Sequence, residues 1–160
     1  MTAPETEALV PALGAHARAE IGELLQKTLV DLIALSLTGK QLHWNVVGPG
    51  FRTLHVSLDE LVDDWHELAD TVAERAVAVG FSPDGQAPSV IDQSELEPVP
   101  PGPVQTAVAI FELAARVAAA DERTRERMER LGNIDLASQD VLIAVVCALE
   151  KQLWMLRSEL

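Results

Sequence analysis

The residues that interrupt helices are bunched in this chain, and their placement decides which folds are open to it. Six of the nine prolines fall between positions 80 and 103, a Gly48-Pro49-Gly50 turn stands apart from them, and Gly132-Asn133 marks a third break. Proline removes a backbone donor and clashes with the preceding turn, and interior glycine costs a helix about 1 kcal/mol, so helices end at such clusters. The intervening stretches are rich in Ala, Leu, Glu and Arg, contain no Tyr, and never sustain an apolar/polar alternation. The pattern predicts an all-α chain with four long helices over 17–46, 51–79, 104–131 and 136–157, after a short N-terminal tail, 1–16. Gly80 ends the second helix and Asp135 is placed to cap the fourth. The segment 80–103 becomes a long crossover in which Val90, Ile91 and Leu96 predict one or two helical turns.

Short connections after the first and third helices, with one long connection between, match the ferritin-like variety of four-helix bundle, whose second and third helices run parallel. At 160 residues the chain suits a single domain over 1–160, with no internal repeat. No uncharged run reaches the roughly 18 residues of a membrane span, and positions 1–17 lack the Lys or Arg of a signal peptide. A soluble, cytoplasmic protein is expected. Cys147 is alone, which rules out an intrachain disulfide and a cysteine zinc site; it reads as a small buried apolar side chain. Twelve basic and twenty-five acidic residues give a formal charge of −13, which repels phosphate backbones and attracts cations.

The helix over 51–79 carries two stripes. Leu54, Leu58, Leu61, Trp65, Leu68, Val72, Ala76 and Val79 follow the spacing of a bundle seam. One step round lie His55, Asp59, Val62, His66, Ala69, Asp70 and Ala73, with Glu74 at the margin. A solvated stripe would carry long charged side chains, so this one reads as a contact surface. His55 with Asp59, and Asp70 with Glu74, are i,i+4 neighbours, each half of a metal site. One chain cannot join the halves, because eleven residues of helix separate Asp59 from Asp70 by about 16 Å. If the helix packs antiparallel on its own copy across a two-fold axis, residues face each other when their numbers share a sum. His55 with Glu74 and Asp59 with Asp70 do so, and the axis falls beside Asp64 and Trp65. His43, held close by the tight turn, can lean over the same site. Two imidazoles and three carboxylates suit Fe(II), with Zn, Mn or Co as substitutes.

The run Lys40-Gln41-Leu42-His43-Trp44-Asn45, then Gly48, Phe51, Leu54-His55, Asp59, Asp70 and Ala73-Glu74-Arg75-Ala76, strongly resembles the Dps family of mini-ferritins. The likeness is densest from Leu25 to Gly80 and returns at Leu149-Glu150-Lys151-Gln152-Leu153-Trp154. It implies a hollow dodecamer with ferroxidase centres at two-fold interfaces, His43, His55, Asp59, Asp70 and Glu74 standing at the ligand positions. It also implies oxidation of Fe(II), commonly by hydrogen peroxide and otherwise by oxygen, with ferric storage in the cavity and protection against oxidative damage. Trp44 matches a tryptophan near the centre, and Asp140 and Asp135 stand where the family lines an iron-entry pore. The chain departs from DNA-binding members, whose tails are basic: positions 1–17 have no Lys or Arg, and beyond Lys151 only Arg157 is basic.

Plainer readings stand beside these. His66 is read first as a packed, hydrogen-bonded side chain and second as an auxiliary ligand. Trp65 and Trp154 read as core, and Trp44 either as core or as an interceptor of stray oxidising equivalents. Asp121, Glu122, Glu126 and Glu129, interleaved with Arg123, Arg125, Arg127 and Arg130, read as a solvated face. A di-iron site inside one bundle needs Glu-x-x-His on two helices; Asp63-x-x-His66 is the nearest approach and no His follows it. The rival functions are a nucleoid-associated DNA-binding protein with a secondary metal site, and a structural cage stabilised by zinc.

Overall fold

The computed structural model describes residues 10–160, so the expected tail lies outside the described residues over positions 1–9. The main elements are α1 (Ala15–Asn45), α2 (Phe51–Ala78), a short α3 (Ala87–Gln93) inside the crossover, α4 (Thr106–Leu131) and α5 (Leu136–Arg157). The fold is all-α and ferritin-like, with α3 in the crossover between the second and third long helices. Helix α4 begins at Thr106 rather than at 104, because Val104 and Gln105 pair in parallel with Val46 and Val47. Thus β1 (Val46–Val47) and β2 (Val104–Gln105) tie the end of α1 to the start of α4.

The α1–α2 turn relies on glycine. Gly48 and Gly50 have φ of 103° and 78°, in the left-handed region that a β-carbon disfavours. The turn sends α2 back along α1, and α4 and α5 form a second hairpin packed on the first through α1 against α4 and α2 against α5. Trp65 sits at the middle with 0% exposure, its indole N–H donating to Gln152 Oε1 at 2.9 Å. Gly39 lets the helices close around it, since a β-carbon there would lie 2.6 Å from Val62 and 2.9 Å from the Trp65 ring. Every residue of the predicted α2 seam is buried or packed against the core.

The crossover is stapled at both ends by buried polar side chains. Gln26 donates to the Asp84 carbonyl at 2.7 Å and accepts from the Asp84 N–H at 2.8 Å. Arg116 donates to the carbonyls of Glu97 at 2.7 Å and Pro98 at 2.8 Å. These bonds satisfy backbone groups that an irregular segment would otherwise leave unpaired.

Expectations about six side chains need correction. Arg123 and Arg127 do not belong to a solvated face. The inward stripe of α4 passes through Arg116, Ala120, Thr124 and Arg127, and both arginines clasp the buried Asp31, at 2.8 Å and 2.7 Å. Asp121 on that supposed face is half-buried, with Oδ1 lacking a hydrogen-bond partner; burial and nearby Glu150 push its carboxyl above the usual range against the pull of Arg125. Trp154 is 61% exposed and Cys147 is exposed, because they share an outward stripe of α5 with Ile143. His66 is exposed rather than packed within the protomer, since it points away from the seam that Trp65 occupies.

Candidate metal centre

The tight turn brings the last turn of α1 against the first turn of α2, and His43 meets His55 there. Their rings stack with centroids 3.7 Å apart and planes 21° from parallel. The Nδ1 of each reaches the backbone carbonyl of the other residue, His43 to His55 at 2.8 Å and His55 to His43 at 3.0 Å. A carbonyl only accepts, so both Nδ1 atoms carry a proton, and in the neutral rings both Nε2 atoms present a lone pair. Such second-nitrogen anchoring sets the tautomer and aim of metal-binding imidazoles. His43 is buried, His55 is half-buried, and the Phe51 ring lies 5.1 Å from that of His55.

Asp59 lies one turn beyond His55, with Oδ1 3.3 Å from His43 Nδ1. The Lys40 ammonium binds the same oxygen. The hydrogen bond from Lys40 holds the Asp59 carboxyl below the usual range; partial burial opposes it, and the charges of His43, Lys40 and His55 add to it. Lys40 is a site residue that the sequence motif contains but that residue type alone does not single out. Its place three residues before His43, on the same helix face, is the signal that points to it.

Asp70 and Glu74 are exposed, further along α2. Within one protomer the structure therefore brings together His43, His55 and Asp59 and leaves Asp70 and Glu74 apart from them. Among the described residues no group of three or more His, Cys, Asp or Glu side chains could hold a metal ion by itself. His66 lies exposed between the two halves, and Trp44, next to His43, is 71% exposed.

The two pore candidates differ. Asp140 is exposed on α5. Asp135 caps α5, accepting from the Ser138 N–H at 3.1 Å and hydroxyl at 2.5 Å, and is paired with Arg75 at 2.6 Å. Burial raises its carboxyl, but the bonds from Ser138 and Arg75 outweigh burial and leave it below the usual range. Ser138 and Arg75 thus occupy Asp135 in this protomer.

Residues 22–160 match the ferritin-like domain family. The chain is 37% identical over 157 residues to a "DNA protection during starvation protein" of Mycolicibacterium smegmatis, covering 97% of this chain and 85% of that one. A solved Dps of Mycobacterium smegmatis, in a tetragonal form, is similar with a TM-score of 0.90 and 35% identity, over 94% of this chain and 92% of that one. A Dps from Microbacterium arborescens "in the high iron form" is similar at 0.86 and 32%, over 92% and 98%. The likeness spans the His43–His55 turn, the crossover and both hairpins, and the chain belongs to the Dps family of mini-ferritins.

Proposed function

We propose that this protein oxidises Fe(II), with hydrogen peroxide as its main oxidant and oxygen as the alternative, and retains the ferric product inside a hollow homo-oligomer. The observation that carries this reading is the His43–His55 pair, whose Nε2 atoms are freed for a metal by the reciprocal Nδ1–carbonyl bonds. Each centre takes His43, His55 and Asp59 from one subunit and Asp70 and Glu74 of the partner subunit. Fe(II) is the substrate: neutral imidazole nitrogens bind it, and the carboxylates compensate the charge gained in becoming Fe(III). Peroxide accepts one electron from each of two ferrous ions and two protons from solvent, its O–O bond breaks and it leaves as two waters, so no hydroxyl radical is released. Zinc is a substitute occupant.

Two α2 helices packed antiparallel across a two-fold axis would join the halves; Val62 and Ala69, expected on the same contact stripe, turn instead into the protomer's own core. Further contacts would cover the outward α5 stripe, and a dodecamer is the assembly proposed. Asp140, with Asp135 once released from Arg75, would line the iron-entry pore; Trp44 and His66 are auxiliary to the centre. Cytoplasmic placement is part of the same reading, and no helix among the described residues is long and apolar enough to cross a membrane. The formal charge of −13 opposes binding to phosphate backbones.

The test adds Fe(II) anaerobically, then peroxide or air, and follows ferric absorbance in the wild type and in an Asp59→Ala, Glu74→Ala double variant. Rapid oxidation into soluble high-mass protein, lost in the variant, is the expected result. Equal rates in the two would overturn the proposal and favour the zinc cage or, if duplex is retained in a gel shift at near-physiological salt, the DNA-binding function.

A further inference from the structure

The Lys40–Asp59 ion pair has no necessary part in the ferroxidase reading, yet it sits on one of its ligands. The centre proposed above, on which this inference rests, gathers three carboxylates: Asp59, the partner's Asp70 and the partner's Glu74. Its two imidazoles add no positive charge when they present neutral Nε2 lone pairs to a metal. Closing two subunits around such a cluster without metal would press like charges together in a partly dehydrated interface, which opposes association. One cation already stands in the cluster, because the Lys40 ammonium is bound to Asp59 Oδ1.

The residue type and its surroundings suit a removable charge. Lys40 and Asp59 side chains are 37% and 45% exposed, so the ammonium has a path back to water. Lysine is a compact point charge on a flexible stem, whereas arginine would grip the carboxylate with a planar two-toothed fork and leave less readily. Its attachment three residues before His43 keeps it in reach whether it holds Asp59 or not.

We propose that Lys40 is a built-in counter-ion. Its ammonium stands in for part of a metal ion's charge on Asp59, which allows two subunits to close around a metal-free centre, and it is displaced when a divalent ion arrives. Lys40 thereby makes assembly independent of metal supply and sets a competition that an incoming ion must win.

The experiment uses metal-stripped full-length protein, sedimentation to read assembly, and anaerobic Co(II) as a coloured probe whose absorbance reports nitrogen and oxygen ligation. Lys40→Met is expected to dissociate at concentrations where the wild type stays assembled, and to reassemble on adding Co(II). Where both are assembled, it should bind Co(II) roughly 2–5-fold more tightly, the weight of one half-exposed ion pair. Lys40→Arg should assemble without metal and bind Co(II) more weakly than the wild type. Unchanged assembly and Co(II) affinity in Lys40→Met would overturn the inference, as would a loss of assembly that Co(II) does not restore, since that marks a packing role. If the wild type shows no Co(II) spectrum that depends on His43 and His55, the centre itself fails and the inference fails with it.

Discussion

Asp135 shows how one carboxylate can serve several purposes, and its consequence belongs to the single residue. It caps α5 and anchors Arg75 from α2, and these bonds hold its carboxyl below the ordinary range of about 3.9. A carboxyl depressed in the folded state adds stability that is full above the unfolded value and is lost as pH falls through the folded value. Acid unfolding should therefore set in below about pH 4 through this group, with Asp135→Asn showing a shallower acid limb. Removing the cap altogether with Asp135→Ala should cost about 1 kcal/mol at neutral pH. Circular dichroism against pH and urea checks both. At the same scale, His43 and His55 illustrate a limit of sequence reading. Their residue types and spacing are legible, but the crossed Nδ1–carbonyl bonds depend on how closely the two helix ends approach.

At the scale of elements, the α1–α4 contact is built around Asp31, a 3%-exposed carboxylate held by Arg123 and Arg127. Removing one partner from a buried ionic group leaves the others uncompensated, which typically costs about 3–5 kcal/mol. Asp31→Ala should fall in that range by urea denaturation, whereas Lys27→Ala on the exposed face of α1 should change little. The charge pattern of α4 departs from the solvated face its sequence predicts, for a physical reason. Alternating Glu and Arg on a helix is the signature of a solvated face, and only an acidic partner on another helix shows that two of the arginines point inward. Helix positions were more legible than this, because proline and glycine act on the backbone locally and need no partner.

At the scale of the molecule, a protomer that exposes Leu136, Ile143 and Trp154 along one stripe of α5 presents more apolar surface than a solitary helix face should. Under the oligomeric reading this stripe is an interface, and it accounts for Trp154 and Cys147 lying outside the protomer's core. Trp154→Glu should then lower the assembled mass seen by sedimentation while leaving the helical circular dichroism of the protomer in place. A variant that assembled as the wild type does would place the interface elsewhere. The same scale governs the candidate centre, whose halves lie too far apart on α2 to meet without a second copy.

Backbone-local effects were open to the sequence by itself: the helices and their breaks, the short helix in the crossover, the α2 seam, and the chemical identity of the candidate ligands. So was the expectation that the proposed centre takes a second subunit, since it follows from the fixed rise of a helix. The tertiary structure alone decided which polar side chains meet: Lys40 with Asp59, Asp135 with Arg75, Asp31 with two arginines, and His43 with the backbone of His55. It also decided that Trp154, read as core like Trp65, lies outside the protomer's core. Such pairings depend on the relative rotation and approach of separate helices, and packing determines these, leaving no trace in local residue order.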